Sequence, residues 1–163
     1  MKNKKEISVK IERATKGGIL EIDDIYTSCS IEEVRLQFPN KKLKEIKKDY
    51  KDYKKSRLIE LQKNIRSSKH HIIVLKFKNK TVGIGEAFMK SKTVGHLDKV
   101  YISKKYRRLG FASGIEKELE LWIKQKGGKI IESGVYSKNI PSIDLHKKMD
   151  FEVVAIRFRK ELK

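Results

Sequence analysis

The sequence predicts an α/β fold: a mixed, largely antiparallel central sheet flanked by helices. Two stretches point there. HIIVLKFKNKTVGIGEAFM holds two β-rich runs separated by KNK, a hairpin pattern, so the sheet begins antiparallel. Further on, strand-like VGHLDKVYIS, helix-like FASGIEKELELWIKQKGG and strand-like KIIESGVYS form a strand-helix-strand unit, which adds a parallel pair. A chain of 163 residues buries about two thirds of its unfolded surface as one core, so we take residues 1–163 as a single domain.

The elements follow from periodicity. KEISVKIERA alternates Ile7, Val9 and Ile11 with polar residues, predicting a first strand. GILEIDDIYTSC reads as a short helix. From Lys41 to Ile65, apolar residues Leu43, Ile46, Tyr50, Tyr53, Leu58, Leu61 and Ile65 recur at helical steps, predicting one long helix with lysine-dense outer faces. Gly83 and Gly85 within the second hairpin strand suggest a bulge. Phe111, Ile115, Leu119, Trp122 and Ile123 share one face of a helix that Gly127 and Gly128 stop. NIPSIDLHKKM is a short helix with Pro141 tolerated in its first turn, and FEVVAIRFRKEL is a terminal strand.

Composition bounds the setting. Forty basic and 21 acidic residues give a formal charge of +19, which attracts polyanions of any kind and selects none. Cys29 is the only cysteine, so no intrachain disulfide forms. MKNKKEISVK lacks the apolar core of a signal peptide and no apolar run approaches membrane-spanning length, so a cytoplasmic protein without a membrane partner is expected. The oligomeric state is left open.

The chemistry concentrates in YRRLGFASG, residues 106–114, where a strand gives way to a helix. A helix start leaves backbone N–H groups unpaired and carries partial positive charge, so a turn of small residues there cradles phosphate. Arg107 and Arg108 add charge, while Gly110 and Ala112 permit close approach. Neither GxxxxGK[ST] nor GxGxxG is present at this turn.

This turn resembles the acetyl-CoA signature of the Gcn5-related N-acetyltransferase (GNAT) family, [Q/R]-x-x-G-x-[G/A], through Arg107, Gly110 and Ala112. The preceding VYISKKYR is similar to the family's LYVxPxYR segment, with Lys104 in place of its proline. NIPSIDLHKKMDF resembles the second motif, N-x-x-A-I-x-L-Y-E-K-x-G-F, departing where His146 replaces tyrosine and Asp150 replaces glycine. The resemblance implies a GNAT-like acyl-CoA N-acyltransferase fold with acetyl-CoA as co-substrate and no metal. It implies that Val100, Tyr101 and Ile102 hydrogen-bond the pantetheine arm and acetyl carbonyl through their backbone. Arg107, Arg108, Leu109, Gly110, Phe111, Ala112 and Ser113 would hold the pyrophosphate, and Asn139 would contact the pantetheine; helix capping is the plainer role for Asn139.

Transfer to an amine needs the neutral nucleophile, yet an alkylamine with pKa near 10.4 is protonated at neutral pH, so its proton must be removed. Asp98 lies where relatives resembling the spermidine/spermine acetyltransferases carry glutamate and is the first candidate base, His96 the second, with Glu86 on the neighbouring strand a further one. Strand alternation predicts His96, Asp98, Val100 and Ile102 on one side. His146, at the family's tyrosine position, is the candidate acid that returns a proton to the leaving thiolate. The 41–65 helix, with Phe38, Tyr50 and Tyr53, is either the acceptor-specificity element or ordinary core packing, and the basic faces weigh against a polyamine unless locally compensated. Two further function classes stand beside the enzyme: a non-catalytic acyl-CoA-binding module, suggested by His146, and a nucleic-acid binder, suggested by charge alone.

Overall fold

The structure is a computed structural model that describes residues 9–160. Its elements in order are β1 (Val9–Arg13), α1 (Ile19–Gln37), α2 (Leu43–Asp52), α3 (Lys54–Arg66), β2 (His70–Phe77), β3 (Lys80–Met89), β4 (Val94–Ile102), α4 (Phe111–Gln125), β5 (Ile130–Ser133) and α5 (Ile140–Lys148). The sheet runs β1-β2-β3-β4-β5. Its first three pairings are antiparallel and β4–β5 is parallel, the mixed sheet expected from the hairpin followed by a strand-helix-strand unit.

Each strand of the β2–β4 meander sends alternate side chains to two cores. On one face Ile72, Val74, Ile84 and Tyr101 meet Ile22, Ile25 and Tyr26 of α1 and Leu61 of α3. On the other, Ile73, Leu75, Val82, Ala87, Leu97 and Ile102 meet Ile115, Leu119 and Ile123 of α4. The expected bulge lies beside Gly83: Leu75 pairs with Gly83 and Lys76 with Thr81, which leaves Val82 as an extra residue of β3, and Gly83 and Gly85 also remove side chains where α4 presses on the strand. A Cβ on Gly85 would lie 2.3 Å from Ile115 Cγ2. The β2–β3 turn at Lys78 and Asn79 has positive φ at both residues, the backbone that a two-residue hairpin requires.

Three elements differ from expectation. The first helix extends to Gln37, because the helix-compatible run IEEVRLQ continues it until Pro39 takes Phe38 out of the helical region (φ −131°, ψ 75°). The 41–65 helix is two helices broken at Tyr53 (φ −88°, ψ 3°). Arg57 sits at the break: its guanidinium donates to the Tyr50 carbonyl at 3.0 Å and to the buried Asp23 carboxylate at 2.7 Å. A carboxylate removed from water demands such a partner, and this tertiary tie accompanies the break.

The third difference is the terminal segment. Residues 151–160 pair with no strand among the described residues despite their β pattern, and Val154 and Phe158 are 86% and 89% exposed. Four-residue β5 has no outer partner there either. Ile7 of the expected first strand, and positions 161 and 162 of the expected last one, lie outside the described residues.

Candidate active site

The centre of the site is an irregularity in β4. Across the β3–β4 ladder Glu86 pairs with Lys99 and Ala87 with Leu97, which leaves Asp98 as an extra, unpaired residue. One inserted residue reverses the alternation of everything beyond it. His96 and Asp98 therefore face the α1–α3 side, joined by Lys99 and Tyr101, while Val100 and Ile102 turn to the α4 side. The expectation that all four of His96, Asp98, Val100 and Ile102 share a face is corrected by this bulge: the first two part from the last two.

Past the bulge the sheet opens. β5 pairs with β4 only from Val94 to Leu97, whereas β4 continues to Ile102. Backbone groups of residues 98–102 on that edge thus have no strand partner among the described residues, because β5 ends at Ser133, and an extended amide-bearing chain can add there as a strand would. Val100, Tyr101 and Ile102 lie on that edge. Arg107 braces its far end, with Nε donating to the Ile102 carbonyl at 2.8 Å and Nη2 to the Glu32 carboxylate at 2.9 and 3.1 Å. Its guanidinium also covers the Tyr101 ring at 5.2 Å.

The loop beyond presents the start of α4. Arg108 has φ 67° and Gly110 has φ 79°, with no heavy atom within 4 Å of where a Gly110 Cβ would stand. The first-turn amides of Phe111, Ala112 and Ser113 are uncapped by any side chain among the described residues, and Leu109 is exposed beside them. Unpaired donors at the positive end of a 15-residue helix are able to take an anion. Asn139 precedes α5, and its side chain makes no capping bond among the described residues while its carbonyl accepts from Ser142 and Ile143 at 3.1 Å. Capping by its side chain is therefore not what Asn139 does here.

On the α1–α3 face the bulge borders a cavity of about 340 Å³. Glu60, Glu86 and Asp98 supply carboxylates to its wall. Of the two cations there, Arg57 is committed to Asp23 at 2.7 Å and Lys99 lies 3.7 Å from both Glu33 and Asp98. Glu86 is buried and fully engaged: Tyr26 Oη donates to one carboxylate oxygen, and Asn64 Nδ2 and His70 Nδ1 each lie 3.2 Å from the other. Burial and the adjacent Glu86 carboxylate push the Tyr26 hydroxyl well above its ordinary pKa, so it stays a donor. Asp98, by contrast, is 41% exposed in its side chain.

Sequence reasoning named Asp98 and Glu86, but missed Tyr26, Asn64 and His70, which only the folding of α1 and α3 over β2 and β3 brings together. Tyr50 and Tyr53 do not line the cavity, and Tyr53 is 68% exposed. The His96 ring meets that of Phe88 at 5.0 Å, tilted by 39°. His146 lies apart, its Nδ1 2.8 Å from the Ser142 carbonyl and its ring 4.9 Å from that of Phe151. No helix among the described residues is long and apolar enough to cross a membrane.

A bulged β4, an edge left unpaired beyond it and a glycine turn opening α4 make up this candidate site, and comparison with known proteins gives its class. The acetyltransferase (GNAT) family model matches residues 32–151, and the chain belongs to that family. No curated protein sequence gives a match. Among solved structures, the aminoglycoside acetyltransferase AAC(6')-Iy in complex with a bisubstrate analogue is 14% identical, with a TM-score of 0.70 over 95% of this chain and 99% of that one. The aminoglycoside 6'-N-acetyltransferase AAC(6')-Ih from Acinetobacter baumannii is 17% identical, with a TM-score of 0.66 over 96% and 100%. A protein described as a transcriptional regulator from Bacillus halodurans C-125 is 13% identical, with a TM-score of 0.71 over 95% and 100%. At these identities the likeness is one of fold.

Proposed function

We propose that the protein transfers the acetyl group of acetyl-CoA to a primary amine of a cationic acceptor, by direct attack in a ternary complex. The observation that carries this reading is the carboxylate-lined cavity beside the β4 bulge in a chain whose formal charge is +19. Carboxylates concentrated there compensate the surrounding positive field at the one place an ammonium group must enter. A polyamine or another small molecule with several ammonium groups fits better than an anionic or neutral amine.

In this reading the open edge of Val100, Tyr101 and Ile102 holds the pantetheine arm, with Asn139 on its other side. The amides of residues 109–113, with Arg108, hold the pyrophosphate, and Arg107 shapes that loop by bracing Ile102 and Glu32. Glu86, fixed by three side chains, attracts the acceptor cation. Removing an alkylammonium proton near neutral pH costs about 4.6 kcal/mol, from roughly 3.4 pKa units at 1.36 kcal/mol each. Asp98, whose carboxylate stands free of hydrogen bonds among the described residues, takes that proton as the amine attacks the thioester carbon. The C–N bond forms, the C–S bond breaks, and the departing thiolate takes a proton from water; His146, expected as its donor, has Nδ1 turned to the Ser142 carbonyl and Nε2 buried.

Release of the CoA thiol, followed across a panel of amines, tests the reading. Polyamines and multiply charged amines should show the highest kcat/KM, and Asp98→Asn should lower kcat and abolish the acidic limb of the pH profile. Acetyl-CoA binding without thiol release across the panel would leave a non-catalytic acyl-CoA-binding module. Retention of the acidic limb in Asp98→Asn would remove Asp98 from the proton transfer.

A further inference from the structure

Arg57 and Lys99 both line the cavity, and they are held very differently. Arg57 is locked: it donates to Asp23 at 2.7 Å, to the Tyr50 carbonyl at 3.0 Å and to Thr27 Oγ1 at 3.1 Å. Lys99, the residue after the bulged Asp98, has its Nζ 3.7 Å from the Asp98 carboxylate on its own strand and 3.7 Å from that of Glu33 on α1. Both separations are longer than a hydrogen bond, so the ammonium is shared between two carboxylates and fixed by neither. It also stands 5.7 Å from the centroid of the Tyr26 ring, within reach of the ring's electron-rich face.

This arrangement is a cation seat. Two carboxylates and an aromatic face suit any alkylammonium, and the group that fills them here is the end of a flexible aliphatic stem. Burial would lower the Lys99 pKa, but Glu33 and Asp98 outweigh it and hold the ammonium above its ordinary value. The occupant therefore stays charged throughout the neutral range. An acceptor ammonium that is to lie beside Asp98 meets a like charge already there, and the two repel at that distance. Glu33, 35% exposed in its side chain, gives Lys99 a second anchor, so the Asp98 end of the seat can be vacated without leaving the Lys99 charge unpaired.

We propose that Lys99 is a specificity-determining residue of the acceptor site: its ammonium stands in for the acceptor's between Glu33, Asp98 and the Tyr26 ring, and an acceptor binds by taking Asp98 from it while Lys99 falls back on Glu33. The inference rests on the transferase reading above, since the seat beside Asp98 is where that reading places the reacting amine. Its consequence is a threshold. A monocation gains little beyond what it displaces, whereas a polyamine, with other ammonium groups drawn by Glu60 and Glu86, gains enough to move Lys99 aside.

Calorimetric titration of spermidine into the protein saturated with CoA tests this without turnover, because no acetyl group is present. Lys99→Met, which keeps the length and apolar stem and removes the charge, should bind spermidine about threefold to tenfold more tightly than wild type. Lys99→Gln should do the same, which keeps the test valid if the methionine variant misfolds, and Lys99→Arg, which keeps the charge, should show no such gain. A cavity merely damaged by substitution loses affinity, so a gain identifies a competitor removed. In an Asp98→Asn background, where the contested carboxylate is gone, the gain from Lys99→Met should shrink. In steady-state kinetics Lys99→Met should lower the KM for monoamines more than that for spermidine. Equal or weaker spermidine binding in both neutral variants would overturn the assignment, and so would an undiminished gain in the Asp98→Asn background, which a general loss of positive field would give. Variants that bind as expected in a protein that transfers no acetyl group would count against the transferase reading and leave the cation seat standing.

Discussion

Replacing Gly85 by alanine adds one methyl group where α4 presses on the sheet. That Cβ would stand 2.3 Å from Ile115 Cγ2, 3.1 Å from Leu119 Cδ1 and 3.2 Å from Ile73 Cγ1. Ordinary carbon contacts begin at about 3.5 Å, so the first overlap is about 1.2 Å. Ile115 and Leu119 are 0% exposed and have no solvent to retreat into. Overpacking of this kind costs about 1–3 kcal/mol, against about 0.4–1 kcal/mol returned through the stiffer unfolded chain. The net loss is therefore about 1.3 kcal/mol, which for a chain of this length lowers Tm by roughly 4 °C. Thermal and urea unfolding followed by circular dichroism measure it. Because the proposed anion cradle lies at the N-terminus of α4, CoA affinity measured by calorimetry should fall in the same variant. In the double variant Gly85→Ala/Ile115→Ala the added methyl enters the space vacated by Ile115, so the combined loss should be smaller than the sum of the two single losses. A Gly85→Ala protein that melts within about 1 °C of wild type, or strictly additive losses, would refute the close approach of α4 to β3.

Other consequences are equally direct. Gly110→Val forces a branched side chain into φ 79°, at a cost of about 1–3 kcal/mol, and should weaken CoA binding several-fold or more in calorimetry while leaving the sheet spectrum intact. Glu32→Gln halves the brace on Arg107 and should raise the KM for acetyl-CoA more than it lowers kcat, as steady-state kinetics would show. Burial, with Glu33 beside it, pushes the Cys29 thiol up to about 12. The thiol therefore stays protonated near pH 8, and Ellman's reagent should reach it only after denaturant is added. Raising the salt concentration should weaken the KM advantage of polycationic over monocationic amines only modestly if the cavity carboxylates are shielded, and strongly if the attraction is a property of the open surface.

Local pattern carried much of this molecule. The order of strands and helices around the KNK turn, the helix from Phe111 to Gln125 and the glycine turn before it all follow from signals within a few residues of one another. The family motifs are legible for the same reason, because a phosphate cradle is built from consecutive backbone amides. GILEIDDIYTSC shows the limit of local pattern even for helices: the helix was recognisable, but its end depended on where Pro39 forbids another turn.

Pairing and packing across the fold decided the rest. The alternation that groups His96 and Asp98 with Val100 and Ile102 is sound for a regular strand, and a single residue gained against β3 reverses it. No property of HLDKVYI announces that gain, because a bulge belongs to two strands rather than one. The break at Tyr53 is likewise tied to Asp23, thirty positions earlier, through Arg57. FEVVAIRFRKEL has the composition of a strand, but a strand exists only where a neighbour offers its edge, and the described part finds none. The acidic cavity arises the same way, and so does the approach of His146 Nδ1 on α5 to within 3.9 Å of the Glu116 carboxylate on α4. Their members come from separate helices and strands, and charges distant in sequence acquire a shared chemistry only when burial removes the water that would otherwise screen them.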